Sequence, residues 1–222
     1  MITFHFLTIF PGLIESYVGE SILKRASEKK LVSFAIKNIR EYSTDRHKKT
    51  DDRPYGGGPG MVMTPEPILN AFAKLKIKDK TGKKTKVIML SPSGKEFTNA
   101  VAQKFAKRYT DIVFICGRYE GVDDRVRKVL KADEYSVGNY TVTGGELPAL
   151  IMTDAISRQI DGVLGKGESV EESRIASPRV YTRPEILVHK GKKHRVPKVL
   201  TTGDHKMIDA WRKDQQKESI DL

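Results

Sequence analysis

Short apolar runs alternate with amphipathic stretches along most of the chain. Ile2 to Ile9 is rich in β-branched and aromatic residues and predicts a strand, which Pro11 and Gly12 break. Leu13, Tyr17, Ile22 and Leu23 then form a loose helical stripe running to about Lys29. Leu31 to Ile39 predicts a second strand, with Val32, Phe34, Ile36 and Asn38 on one face. Asp45 to Gly60 has no periodicity and ends in Gly56-Gly57-Gly58-Pro59-Gly60, so it must be a loop. A helix follows over Pro65 to Leu75, with Thr64 placed to cap it and Pro65 at its first position. The middle of the chain then alternates: strand Val87 to Leu90, helix Thr98 to Ala106, strand Ile112 to Cys116, helix Asp123 to Leu130, strand Tyr135 to Val137. Helix Glu146 to Ile160 is apolar over most of its surface and is expected to be buried on more than one side. This alternation predicts an α/β fold with a largely parallel sheet. After Gly162 a polar stretch to about Thr182 reads as a linker. A small helical tail within Leu200 to Lys217 has Asp204 as its cap and Trp211 as its one large anchor.

Composition narrows what such a fold can do. The 222 residues carry 40 Lys+Arg against 28 Asp+Glu, a net charge of +12, which points to a polyanionic partner. The excess is clustered. Lys74 to Lys86 holds seven lysines against Asp79, and His189 to Lys198 holds five Lys/Arg and two histidines with no acid. Two such clusters favour nucleic acid, held at its phosphates without sequence information. No apolar run approaches the roughly 18 residues of a membrane span, and no signal peptide is evident, so the expected compartment is the cytoplasm. One cysteine, Cys116, excludes an intramolecular disulfide framework and a multi-cysteine zinc site. It ends an apolar strand and reads as packed rather than nucleophilic. The five histidines show no metal-ligand spacing.

Three Gly-rich or polar segments sit just after the central strands: Ser91-Pro92-Ser93-Gly94, Gly117-Arg118-Tyr119-Glu120-Gly121, and Val137 to Gly145. In α/β sheets ligands bind at the carboxyl ends of strands, in loops of this kind, so the three together predict a small-molecule pocket. The ligand is narrowed by exclusion. There is no GxxxxGK[ST], no GxGxxG at a strand-to-helix turn and no GxSxG elbow. A Walker-type NTPase, a Rossmann dinucleotide site and the common hydrolase arrangement are therefore all disfavoured.

Several long strings carry a resemblance. They are Asp51-Asp52-Arg53-Pro54-Tyr55-Gly56-Gly57-Gly58-Pro59-Gly60-Met61, Leu90-Ser91-Pro92, Cys116-Gly117-Arg118-Tyr119-Glu120-Gly121-Val122-Asp123, Gly144-Gly145-Glu146-Leu147-Pro148-Ala149, Gly162-Val163-Leu164-Gly165 and Tyr181-Thr182-Arg183-Pro184-Glu185. In this order the chain resembles the bacterial tRNA (guanine-N(1))-methyltransferases of the SPOUT class, which modify the guanosine just 3′ of the anticodon. The resemblance implies a parallel sheet with a deep trefoil knot and S-adenosylmethionine held by the knot loops. It also implies a homodimer with its active site between subunits, and tRNA as partner. The implied domains are a knotted catalytic domain over 1–162, a linker over 163–182 and a small tRNA-binding domain over 183–222.

By matched position the resemblance assigns the cofactor to Leu90, Ser91 and Pro92, to Gly117, Tyr119, Glu120 and Gly121, and to the third loop. There it involves Ser136, Val137, Gly138, Asn139, Tyr140, Thr141, Val142, Gly144, Gly145 and Pro148. Asp51, Gly58, Pro59, Gly60 and Ser169 are assigned to the target guanine or its neighbours. Arg158 matches an arginine that stabilises charge on guanine O6. A Mg2+ requirement is not readable from the sequence. At one point the chain departs from the family. The supposed base is an aspartate in an acidic pair followed by Ser-Phe. This chain has Glu168-Ser169-Val170-Glu171-Glu172-Ser173-Arg174, which places Ser173 at that position when aligned without a gap. A lone serine hydroxyl is too weak a proton acceptor. Glu172, its neighbour, is the expected base after a one-residue shift, with Ser173 shaping the loop, and Glu171 reaching in is the other route to a carboxylate. The alternative is a catalytically impaired tRNA-binding protein that keeps the fold and the cofactor pocket.

Overall fold

A computed structural model describes residues 1–75, 77, 84–164 and 179–218. Met1–Gly165 forms one compact unit and Lys166–Leu222 a second.

The first unit is an α/β structure around a sheet of five strands, all parallel, in the order β2-β1-β6-β5-β7. The strands are β1 (Ile2–Thr8), β2 (Val32–Asn38), β5 (Thr85–Glu96), β6 (Asp111–Ile115) and β7 (Asp133–Ser136). Every residue of β6 is buried, as the unbroken Ile-Val-Phe-Ile run requires of a strand covered on both faces. Helices α1 (Pro11–Val18), α2 (Ser21–Glu28), α4 (Asn99–Arg108) and α6 (Glu146–Ser157) contribute to one apolar cluster. Within it Phe34, Phe4, Phe114 and Phe6 stack in sequence, with centroids 6.0, 6.4 and 5.5 Å apart. Helices α3 (Pro65–Ala73) and α5 (Asp124–Leu130) contribute to a second cluster around Leu7, Val113 and Ile115.

Several elements depart from expectation. Pro11 opens α1 instead of ending a segment, as a residue lacking N–H suits a first turn. The helical stretch is two helices, split at Gly19–Glu20, and Ser21 has φ 51°. That break shifts the phase: Ile14, Val18, Leu23 and Ala26 are buried, whereas Leu13, Tyr17 and Ile22 are exposed. Thr64 makes no side-chain cap to α3; its N–H donates to Thr50 O at 2.8 Å instead. Asp123, by contrast, caps α5 by accepting from Arg125 N at 2.9 Å. The Asp45 to Gly60 loop contains one regular piece, a two-residue β3 (Asp51–Asp52) paired with β4 (Val62–Met63). The Ser91–Gly94 segment does not end its strand. β5 continues to Glu96, with Leu90 and Lys95 both opposite Tyr135 and the intervening residues bulged outward. Helix α6, by contrast, is buried on more than one side as expected, with Leu147 and Ile151 left exposed.

In the second unit β8 (Ile186–His189) and β9 (Lys192–Arg195) form an antiparallel hairpin. Its turn residues Lys190 and Gly191 have φ 48° and 74°, the pair of positive values that a two-residue hairpin turn needs. Helix α7 (His205–Glu218) follows, capped by Asp204, whose carboxylate accepts from Lys206 N at 3.0 Å and Met207 N at 3.2 Å. Tyr181 meets Trp211, with ring centroids 6.3 Å apart.

Candidate cofactor and substrate site

The loops after β6 and β7, together with the bulge of β5, enclose a cavity of about 400 Å3 at the carboxyl edge of the sheet. Leu90, Ser91 and Pro92 line it, as do Gly117, Tyr119, Glu120 and Gly121. Ser136, Val137, Tyr140, Thr141, Val142, Gly144, Gly145 and Pro148 complete the set expected from sequence. Gly138 and Asn139 are not among the lining residues. They form the turn behind the wall: Ser136 Oγ donates to Gly138 O at 2.8 Å, and Tyr140 N donates to the same oxygen at 2.9 Å. The wall also includes Met89, Arg118, Val122, Glu134, Tyr135 and Thr143, which sequence reasoning did not assign to the cofactor.

The loops come this close because glycine lacks a side chain where they meet. Gly145 N donates to Gly117 O at 2.8 Å. A Cβ at Gly145 would stand 2.8 Å from both Cys116 Cα and Gly117 N, where only backbone is present to yield. Gly94 packs in the same way on the backbone of Tyr135. Tyr119 is held at φ 60°, beside Gly121 at 121°. Below the loops, Glu146 is only 2% exposed and accepts from Thr8 Oγ1 at 2.6 Å and from Arg118 Nε at 2.8 Å.

The glycine-rich segment is bound to this cavity through its wall. Glu120 N donates to Met61 O and Met63 N to Gly121 O, both at 2.9 Å, and Met63 bridges Val122. Gly60 lies so close to Glu120 that an added Cβ would collide with the carboxylate. Asp51 is half-buried, and Gly58, Pro59 and Gly60 are exposed. None of these four lines the cavity itself.

Arg158 does not join the cavity of its own chain. It is the residue after α6, and Gly145 is the residue before it. At 1.5 Å per residue the helix separates the two by roughly 20 Å. Ser169, Glu172 and Ser173 lie outside the described residues.

Cys116 is fully buried and is not among the cavity residues. Burial, reinforced by the Glu146 carboxylate, pushes its thiol well above the ordinary range. Folded protein is therefore expected to leave Cys116 unmodified by a thiol reagent such as 5,5′-dithiobis(2-nitrobenzoate), with one equivalent released on unfolding. Prompt labelling of the folded chain would contradict its packed role.

The cavity can hold a small ligand that has both apolar and polar parts. Its volume falls within the roughly 300–1,000 Å3 of small-molecule sites. Leu90, Val137, Pro148 and Tyr140 offer apolar surface, the glycines offer exposed backbone, and Glu120 and Glu134 supply negative charge.

Known proteins resemble the chain over nearly its whole length. The family model described as tRNA (Guanine-1)-methyltransferase TrmD matches residues 2–221. A tRNA (guanine-N(1)-)-methyltransferase of Clostridioides difficile (strain 630) is 45% identical over 216 residues, covering 96% of this chain and 91% of the relative. Proteins of the same description from Staphylococcus carnosus (strain TM300) and Geobacter sp. (strain M21) are each 44% identical. They cover 95% and 96% of this chain and 84% of each relative.

Proposed function

The chain belongs to the tRNA (guanine-1)-methyltransferase family, and on that premise we propose that it methylates N(1) of the guanosine immediately 3′ of the tRNA anticodon, using S-adenosylmethionine. The observation that carries this reading is the cavity between three strand-end loops, with the glycine-rich segment fastened to its wall. S-adenosylmethionine supplies a methyl group on a positively charged sulfur. The residues of the three loops hold it, with Gly117, Gly144 and Gly145 bringing backbone close and Glu120 and Glu134 offsetting its positive charge. Methyl transfer is an in-line displacement, so most of the catalytic work is positioning. Asp51, Gly58, Pro59, Gly60 and Ser169 receive the guanine or its neighbours. Guanine N(1) carries a proton and is a poor nucleophile until that proton leaves. Glu172 accepts it, while Arg158 faces O6 and stabilises the negative charge that develops there.

The position of Arg158 supports a homodimer. Since α6 holds it far from its own cavity, a second copy is needed to bring an Arg158 to each site. Phe10, Leu13 and Tyr17 at and along α1, and Leu147 and Ile151 on α6, are exposed apolar residues suited to that partner. The two helices are tied by Tyr17 Oη donating to Asp154 Oδ2 at 2.9 Å. The knot belongs to the same reading. The chain leaves β7 at Ser136 on the sheet edge, and by Gly145 it lies against Gly117 after β6, having crossed the end of β5. Such a crossing is what a threaded loop requires. We take 1–162 as the catalytic domain, 163–182 as a linker and 183–222 as the tRNA-binding domain, working in the cytoplasm. Neither the family match nor the relatives favour an inert tRNA-binding protein.

The deciding experiment is transfer of labelled methyl from S-adenosylmethionine to unmodified tRNA, with the product nucleoside mapped. Absence of 1-methylguanosine at that position would overturn the reading. A second expectation concerns the β8–β9 hairpin, where Lys190, Lys192, Lys193 and Arg195 are all exposed. Each phosphate they neutralise should contribute roughly 0.7–0.9 to the slope of log K against log salt. Neutralising all four should lower that slope by about 3 and leave the methylated base unchanged. An unchanged slope would remove the hairpin from the tRNA contact.

A further inference from the structure

Arg118 has a role that its place in the cavity wall does not by itself explain. It joins three parts of the site that are far apart in sequence. Its Nε–H donates to Glu146 Oε2 at 2.8 Å, and its Nη1–H reaches Thr143 O at 3.4 Å. Its guanidinium lies 4.7 Å from the centre of the Phe10 ring, a cation–π seat. It also fills the space beside Gly144 where a side chain would otherwise stand. Glu146 is the first residue of α6 and is anchored from below by Thr8 at the end of β1. One side chain thus fastens the loop after β6 to the loop before α6, with β1 as the footing.

We propose that Arg118 is a positioning residue: braced between Glu146 and Phe10, it holds Gly144 and Gly145 against Gly117 and so sets the shape of the cofactor cradle. The proposal rests on the reading of the cavity as an S-adenosylmethionine site. The pair is suited to this task because its acid is buried and only 18% of the Arg118 side chain is exposed. Glu146 is 2% exposed and Arg118 has Phe10 over its guanidinium. Charged hydrogen bonds in such surroundings are short and strongly directional. Lysine is no substitute, because it lacks the planar fork that donates to Glu146 and Thr143 while stacking on Phe10. Phe10 is not a cavity residue and lies on the exposed apolar face assigned to the second subunit, so this brace also links that face to the cradle.

The test uses Arg118→Lys, which keeps a cation beside Glu146, and Phe10→Ala, which leaves every lining residue in place. Two readouts are taken. In the protein without cofactor, amide hydrogen exchange at Gly145 should quicken in both variants, because its N–H bond to Gly117 O is less well held. By calorimetry, S-adenosylmethionine affinity should fall about tenfold or more for Arg118→Lys, the scale of a lost charged hydrogen bond. KM for S-adenosylmethionine should rise by more than kcat falls; simple loss of folded enzyme would lower kcat and leave KM alone. The double variant should lose little more than Arg118→Lys alone, since both act through one brace. Wild-type affinity and wild-type Gly145 exchange in Arg118→Lys would overturn the proposal and leave the function intact. Failure of the wild-type protein to bind S-adenosylmethionine would overturn the underlying reading and this proposal with it.

Discussion

Gly145→Ala is expected to reduce S-adenosylmethionine affinity by on the order of 10²–10³, measured calorimetrically, in a protein that still folds. The added methyl carbon would stand 2.8 Å from Cys116 Cα and Gly117 N. Neither contact is a flexible side chain, so the two loops must separate. The backbone is not itself the obstacle, since Gly145 sits at φ −77° and ψ −12°, which alanine adopts without strain. The loss is therefore steric. Forcing a methyl into a closed contact costs about 1–3 kcal/mol, and weakening the Gly145 N to Gly117 O bond adds about 0.5–1.5 kcal/mol. Parting the loops relieves this strain in the folded chain but alters the shape of the cavity between them, which the cofactor must match. The penalty thus appears in binding more than in folding. Gly121 makes a useful contrast: an added Cβ there meets nothing within 4 Å, but φ 121° strains any other residue. Unchanged affinity in Gly145→Ala would show that the loops do not close on the cofactor.

The parts of this site that could be read from sequence are those written locally. The run Ile112 to Cys116 is apolar without alternation, which marks a strand covered on both faces, and β6 is the central strand of the sheet. The cavity loops were legible because Gly, Pro and Ser cluster just after the runs ending at Leu90, Cys116 and Val137. What depended on phase was lost. Leu13, Tyr17 and Ile22 look like a buried stripe, but α1 packs through Ile14 and Val18, and the break before Ser21 rephases α2 so that it packs through Leu23 and Ala26. The β8–β9 hairpin was hidden because neither strand alternates, β8 reading Ile-Leu-Val-His and β9 Lys-Lys-His-Arg, although Lys190-Gly191 could have suggested the turn. Arg118 and Glu146 stand in plain view in the matched strings. Their pairing was not legible because it is a relation between residues 28 apart. An acid at the start of a helix ordinarily reads as a solvated partner of the macrodipole, and its burial is set by Thr8, which sequence spacing does not connect to it.

Glu172→Gln is expected to slow methyl transfer by about 10²–10⁴ in single-turnover experiments, the usual cost of losing a general base. The proton on guanine N(1) has to be accepted as the methyl group arrives, and the family position for that acceptor is occupied here by Ser173. A serine hydroxyl has no proton affinity to spare near neutrality without a base of its own. Glu172 is adjacent and one methylene longer than the aspartate it would replace, so a slide of one residue would bring its carboxylate to the same place. Glutamine preserves shape and removes basicity, so substrate affinity should be kept while the rate and its rise with pH are lost. Glu171→Gln serves as the comparison. If Glu171→Gln shows the loss and Glu172→Gln does not, the base is Glu171. Ser173→Asp asks the complementary question, because it restores the family residue at the ungapped position. Activity appearing only in Ser173→Asp, with an inert wild type, would mean that this chain binds tRNA without methylating it.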